Sequence, residues 1–327
     1  MEVALHNSEQ MIPTQKLNQD TRIIRSARAP LRVGLIGGGA LFLRVAVQVA
    51  TSAPLGDTPF YLFAVIAVGG LGLIAIVAAG LRTPPDRLRW LILLAIVSEI
   101  GLTALIWRHT QRLHPFSRVD VALYIDMASE LVQHGENPYT WDFNGVNEVY
   151  RAAQAASTPQ LDGSTAGRYD YPALGVLAVL PFEVIGLPGV WLVPLLAQIG
   201  MAILIFLAAP HDIQPLILFP LLVWFRFSDL TAVGANDVVW SMLLVGMIVA
   251  WRRPTLRAVL YGLAISYKQI PWFLFPFLVM RIWYGSDPHT PRKTQVARLT
   301  QFSMVSGLTF LIMNLPFILW NPSAWLE

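Results

Sequence analysis

Apolar residues fall along this chain in long runs, separated by short polar and basic stretches. An α-helix needs about 20 such residues to cross about 30 Å of hydrocarbon. The runs 33–53, 60–81, 89–107, 187–209 and 302–320 meet that length. Those at 173–185, 213–227, 237–251 and 256–283 are shorter or broken by proline. The pattern predicts an all-α fold, a polytopic transmembrane helical bundle of about 9–10 membrane segments, in which each helix satisfies its own backbone polar groups.

The polar stretches set orientation. Basic residues gather in the N-terminal tail, in Arg82–Arg89, in Arg252–Arg257 and in Arg281–Arg298. The positive-inside rule assigns all four to the cytoplasmic face. The stretch from Arg108 to Tyr171 then lies outside, and it is the only large loop. The division expected is a flexible cytoplasmic tail at 1–30, N-terminal transmembrane helices at 31–107, an extracytoplasmic loop at 108–171 and a transmembrane bundle at 172–327. An odd number of crossings must separate Tyr171 from Arg252, yet four apolar runs lie between them. The run 173–185, with Pro181 and Glu183, is therefore expected to be re-entrant or to lie against the bundle. Arg44, inside the first run, either snorkels to the outer surface or marks an interfacial helix.

Composition agrees. The chain of 327 residues is 55% hydrophobic and 13% charged, against about 25% charged in soluble domains. Its mean hydropathy is +0.55. An ordinary soluble enzyme, a disordered chain and a coiled coil are excluded. The net charge of +3 needs no nucleic acid to explain it, since basic loops are normal in such a bundle. Without cysteine there is no disulfide, thiolate metal site or cysteine nucleophile. Phosphate-binding Gly-rich loops, dinucleotide fingerprints, His-rich metal clusters and nucleophile elbows are also missing from the sequence.

Within the outer loop, 117–135 reads as one amphipathic juxtamembrane helix. Asp120, Tyr124, Met127 and Leu131 share a face, while Asp126 and Glu130 share a more polar one. Gly135 supplies a left-handed stop, and Asn137-Pro138 forbids continuation. Such a helix lies on the bilayer surface, beside a lipid-borne substrate. Asp120 has two readings: a carboxylate for proton transfer, or the third position of a Ser117-x-x-Asp120 capping box. The loop closes on Gly167-Arg-Tyr-Asp-Tyr-Pro172. Its tyrosines either anchor a helix end or stack on a sugar ring.

Two polar sites interrupt the bundle. Asn236 and Asp237, in Gly234-Ala-Asn-Asp237, suit an N-cap or a binding site. Lys268 lies mid-run in Ser266-Tyr-Lys-Gln-Ile-Pro271, where a lysine costs about 2.5–3.5 kcal/mol in hydrocarbon. Pro271 points to a break into two half-helices with Lys268 at the junction. There the cation either meets a lipid phosphate or pairs with a bundle carboxylate such as Asp237.

Val119-Asp-Val-Ala-Leu-Tyr124, Leu131-Val-Gln-His-Gly-Glu-Asn-Pro-Tyr139, Tyr169-Asp-Tyr-Pro172, Gly234-Ala-Asn-Asp237 and Tyr261-Gly-Leu-Ala-Ile-Ser-Tyr-Lys-Gln269 stand in that order. Together, over about residues 110 to 325, they resemble GT-C superfamily glycosyltransferases, in the branch of bacterial polyprenol-phosphate-mannose-dependent mannosyltransferases. The resemblance implies a multi-pass enzyme of the cell membrane with its active site on the extracytoplasmic face. It implies inverting transfer of a hexose from a polyprenyl-phosphate-sugar donor to a lipid or glycan acceptor. Position by position, the general base maps to Asp120. Lys268 and Arg168 become candidates for the donor phosphate, and Tyr124, Tyr169, Tyr171, Asn236 and Asp237 for sugar and acceptor. A phosphate monoester leaves readily, so no metal or cofactor is expected. Two departures stand out: an N-terminus longer than the simplest layout, and an end at Glu327 where relatives commonly continue, so that the chain is either truncated or a small member. The competing reading is a transporter or flippase of a lipid-linked sugar that uses the broken helix at Lys268.

Overall fold

The structure, a computed structural model, describes residues 13–52, 59–81, 84–113, 120–143, 167–217, 231, 234–285 and 290–326. Among these residues every regular element is helical. In chain order they are α1 (Pro13–Ser52), α2 (Pro59–Ala79), α3 (Arg89–Leu113), α4 (Asp120–Gln133), α5 (Leu174–Val184), α6 (Gly189–Ala208), α7 (Asp237–Val249), α8 (Pro254–Tyr267), α9 (Phe275–Tyr284), α10 (Arg292–Trp320) and α11 (Pro322–Leu326). Four helices contain a stretch long and apolar enough to cross a membrane: Ala29–Thr51 in α1, Leu62–Ala79 in α2, all of α6 and all of α10. Leu174–Val184, Asp237–Val249 and Ile270–Tyr284 are apolar but shorter. At 11 residues, α5 spans about 16 Å, half of what a crossing requires. The run at 213–227 is described only as far as residue 217.

The chain forms two compact units, one of residues 1–96 and 209–223, the other of 97–208 and 224–327, with the division inside α3. In the first unit α1 and α2 are antiparallel and in close contact. Gly39 and Gly72 permit this, because a Cβ on Gly39 would lie 2.7 Å from the Gly72 carbonyl oxygen. Residues 13–30, which fall within the cytoplasmic tail expected at 1–30, continue α1 as helix. Pro13 suits the first helical position, where no amide is needed.

In the second unit α5 and α6 form a hairpin. The Glu183 carboxylate accepts from the amides of Gly189 (2.5 Å) and Val190 (3.3 Å), so this acid in an apolar run caps α6. α6 packs beside α7, and α7 turns back through Ala250–Arg253 into α8. α8 lies against α10, where Gly262 meets Ser306 and Thr309. α11 then folds back, bringing Trp325 to 6.2 Å from Phe310. These directions place Asp237, Lys268, Ala173 and Asn314 at one end of the unit. Arg252, Arg253, Arg257, Arg292, Lys293 and Arg298 lie at the opposite end, where α8 and α10 begin.

Candidate functional site

α4 carries its apolar face inward. Val121, Tyr124, Ile125, Ala128 and Leu131 are buried, Asp126 is half-buried and Glu130 is exposed. The helix stops at Gly135 (φ +77°). There the Glu136 amide donates to the Leu131 carbonyl (2.8 Å) and the Gly135 amide to that of Val132 (3.1 Å), the paired bonds of a left-handed helix stop. Asn137 starts a single turn at Pro138–Thr140 by accepting from the Tyr139 amide at 3.0 Å. This places the Tyr139 ring against Tyr169 and Phe317, with centroids at 5.3 and 5.4 Å.

The Tyr169–Pro172 segment is held from three sides. The Tyr139 hydroxyl donates to the Tyr171 carbonyl (2.8 Å). The Gln269 side-chain amide donates to the Asp170 carbonyl. Asn314, fully buried on α10, accepts from the Ala173 amide at 2.9 Å. An asparagine inside a 29-residue apolar helix thus supplies the acceptor that the first turn of α5 needs.

The expected break is present. α8 ends at Tyr267, Lys268 is extended (φ −152°, ψ 153°), and a 3-10 turn at Ile270–Leu274 leads into α9. Pro271 lacks an amide and would clash with the preceding turn. Carbonyls freed by the break find side-chain donors: the Tyr261 hydroxyl reaches Pro271 (3.1 Å) and the Trp272 indole reaches Ile265 (2.9 Å). The Lys268 ammonium lies 2.7 Å from Asp237 Oδ1 and 5.7 Å from the centre of the Tyr171 ring. The pair is asymmetric, with the Lys268 side chain 14% exposed and that of Asp237 49%. Asp237 also accepts from the Trp240 indole at 2.9 Å.

Beside this pair lies a cavity of about 250 Å³. Tyr139, Tyr169, Tyr171, Trp272, Phe310 and Trp325 give it aromatic walls, and Asp170 and Gln269 supply polar groups. Its volume falls just below the about 300–1,000 Å³ of pockets for drug-sized ligands, which suits one small headgroup. Burial raises the Tyr169 phenol well above its ordinary range, and the neighbouring tyrosines and Asp170 add to that. Burial also raises Tyr139; a hydrogen bond with Trp325 opposes the shift and the Asp170 charge reinforces it. Both phenols are neutral at physiological pH, so they offer rings and donors rather than bases.

Compared with protein families, with curated sequences and with solved structures, the chain gives no match.

The geometry brings together Asp237, Lys268, Tyr171 and Tyr169 from the residues singled out in the sequence. Asn236 is buried at the N-cap position of α7, without a side-chain capping bond. Tyr124 is buried edge-on to Phe143 (5.3 Å) and does not line the cavity. Arg168 is exposed. Asp120 opens α4, but its side chain, like Ser117, lies outside the described residues. Two residues on, Ala122 sits against Gly234 (φ +89°), so the start of α4 and the turn into α7 adjoin. Pattern reading missed Trp272, Phe310, Trp325 and Gln269 as lining residues. The only local signal is the position of the two tryptophans at helix ends.

Proposed function

We propose that this protein is a multi-pass membrane glycosyltransferase that moves a hexose, mannose in the closest reading, from a polyprenyl-phosphate-linked donor to a lipid or glycan acceptor, with inversion. The observation that carries the reading is the cavity itself. Aromatic faces, a carboxylate and an amide converge there beside a half-buried lysine, at the end of the second unit remote from Arg252, Arg253, Arg257, Arg292 and Arg298. Tyrosine and tryptophan faces suit the apolar face of a sugar ring, and polar groups among them fix its hydroxyls. The arginines at the other end support an extracytoplasmic cavity by the positive-inside rule, with 108–171 as the outer loop.

In this proposal a carboxylate takes the acceptor hydroxyl proton, the acceptor oxygen bonds to the anomeric carbon, and the bond to the phosphate oxygen breaks on the opposite face. Asp120 takes the role of base, following the resemblance. Lys268, with Arg168 as second cation, offsets charge developing on the departing polyprenyl phosphate. Tyr169, Tyr171, Asn236 and Asp237 contribute to the sugar and acceptor surroundings, and Tyr124 supports them from the core.

The test is transfer by purified protein in liposomes from radiolabelled polyprenyl-phosphate-mannose to extracted membrane lipids and glycans. Transfer from the lipid-linked donor is expected. Transfer from a nucleotide sugar alone ends the reading. The broken helix at Lys268 is what favours a transporter or flippase, although such proteins commonly carry matched interruptions in two halves. Movement of the intact lipid-linked sugar across the bilayer, without transfer, decides for that alternative.

A further inference from the structure

At the end remote from the cavity, the second unit gathers Arg252, Arg253, Arg257, Arg292, Lys293 and Arg298. Between Val238 and Leu326 the sequence has eight lysines and arginines; one of them, Lys268, lies at the cavity end and pairs with Asp237. Three of the cations, Arg252, Arg253 and Arg257, surround the first turn of α8. A helix N-terminus carries partial positive charge and favours anions, so this placement is self-repelling. Arg253, at the N-cap, provides no side-chain capping bond.

Arg257 adds an independent observation. The residue is 7% exposed. Its Nη1 donates to the Trp251 carbonyl at 3.3 Å, and its guanidinium lies 4.5 Å over the Trp251 ring and 5.6 Å over that of Phe302. Nε is buried and has no hydrogen-bond partner among the described residues. The Arg298 charge is close enough to act on Arg257, which increases the repulsion. A buried cation is held at a cost unless an opposite charge meets it. Here two rings and one carbonyl fix the guanidinium plane and turn it back toward the start of α8. A guanidinium held in a fixed plane keeps its charge in place for a charge-assisted bond to a phosphate oxygen.

We propose that Arg257, with Arg253 and the amino-terminal turn of α8, binds a phosphate ester or phosphate ion: either the headgroup of an anionic lipid or free inorganic phosphate. The site is separate from the cavity, and its test uses no sugar transfer.

Full-length protein is reconstituted in phosphatidylcholine nanodiscs and titrated with phosphatidylglycerol; in a second arm the detergent-solubilised protein is titrated with inorganic phosphate. The thermal midpoint and, by native mass spectrometry, the bound ligand are read in both. A rise in midpoint with phosphatidylglycerol alone assigns the lipid headgroup, and a rise with inorganic phosphate assigns the ion. Arg257→Gln is expected to weaken the responding ligand about 10- to 100-fold, the range for a hydrogen bond to a charged group. Arg257→Lys, which keeps charge but loses the fixed plane and the stack, is expected to fall between. If Arg257→Gln does not fold, Arg253→Gln at the exposed N-cap replaces it, with several-fold weakening expected. No response in either arm, or the same response in wild type and the folded variants, overturns the proposal.

Discussion

Lys268 and Asp237, 31 residues apart, join the end of α8 to the start of α7 through a 2.7 Å contact between Nζ and Oδ1. The contact gives the lysine a partner in an apolar bundle and also holds it against Tyr171 at the cavity wall. Removing either partner leaves a partly desolvated charge, at about 1–3 kcal/mol. The lower half of that range is expected, because Asp237 is 49% exposed and solvent screens it. Lys268→Met and Asp237→Asn should each lower the thermal midpoint, and the double variant should recover most of the loss. Donor binding separates the two roles of the lysine. If Lys268 also holds the donor phosphate, the double variant recovers stability but not affinity. Recovery of both, measured with a polyprenyl-phosphate-sugar, rejects the phosphate role.

Two buried phenols make alkaline stability a second test. Tyr139 and Tyr169 are held above the ordinary tyrosine value of 10.0 in the folded chain. Below about pH 10 both states keep the protons and no pH dependence arises from these groups. Above it the unfolded chain releases protons that the folded chain retains, so stability falls as pH rises, by up to about 1.4 kcal/mol per pH unit for each group. Thermal midpoints from about pH 8 to about pH 11 should show a decline that is shallower in Tyr169→Phe. Because the Tyr169 hydroxyl is buried without a hydrogen-bond partner among the described residues, this variant should lose little stability at neutral pH. Tyr139→Phe forfeits the bond to the Tyr171 carbonyl, worth about 1 kcal/mol. An unchanged alkaline slope in the double phenylalanine variant would refute the assignment.

Features that follow from local chemistry were legible in the sequence. The long apolar runs of α2, α6 and α10 read as helices because length and hydropathy suffice, and Pro271 marks the break because a missing amide acts on its own turn. The inward face of α4 follows from period. Period alone, however, cannot tell a residue facing a ligand from one facing other side chains, and Tyr124 proved to be packed on Phe143. The cavity is non-local. Trp325 reaches it only because α11 folds back along α10, and Asn314 bonds the Ala173 amide 141 residues away. Neither relationship leaves a trace in a window of neighbouring residues. The helical extension of α1 to Pro13 was hidden for another reason, since its polar composition resembles that of a tail.

Orientation can be read by labelling, because the chain has no cysteine of its own. Thr140, exposed in the turn after α4, and Thr294, exposed in the first turn of α10, lie toward opposite ends of the second unit. The distribution of arginines predicts that Thr140→Cys reacts with an impermeant thiol reagent in intact cells and that Thr294→Cys reacts only after lysis. The reverse pattern inverts the topology and moves the cavity to the cytoplasmic side, where soluble nucleotide sugars become the natural donors to test.

The base is the sharpest question, because two carboxylates compete for it. Asp120 is favoured by the resemblance, while Asp170 is the acid that lines the cavity. Asp120→Asn preserves size and capping ability but removes basicity, so turnover should fall by about 10²–10⁴-fold with little change in donor affinity or thermal midpoint. A purely capping Asp120 gives the opposite result: activity is kept, and replacement by alanine costs about 1 kcal/mol of stability. Asp170→Asn, if Asp170 only orients the sugar, should weaken substrate binding more than it slows the chemical step. Asp126→Asn and Glu130→Gln, on the more polar face of α4, serve as controls and should be mild. Near-normal turnover in Asp120→Asn together with an inactive, well-folded Asp170→Asn would move the base to the cavity wall. Activity in all four variants would reject a base on the helix α4 and at Asp170 alike.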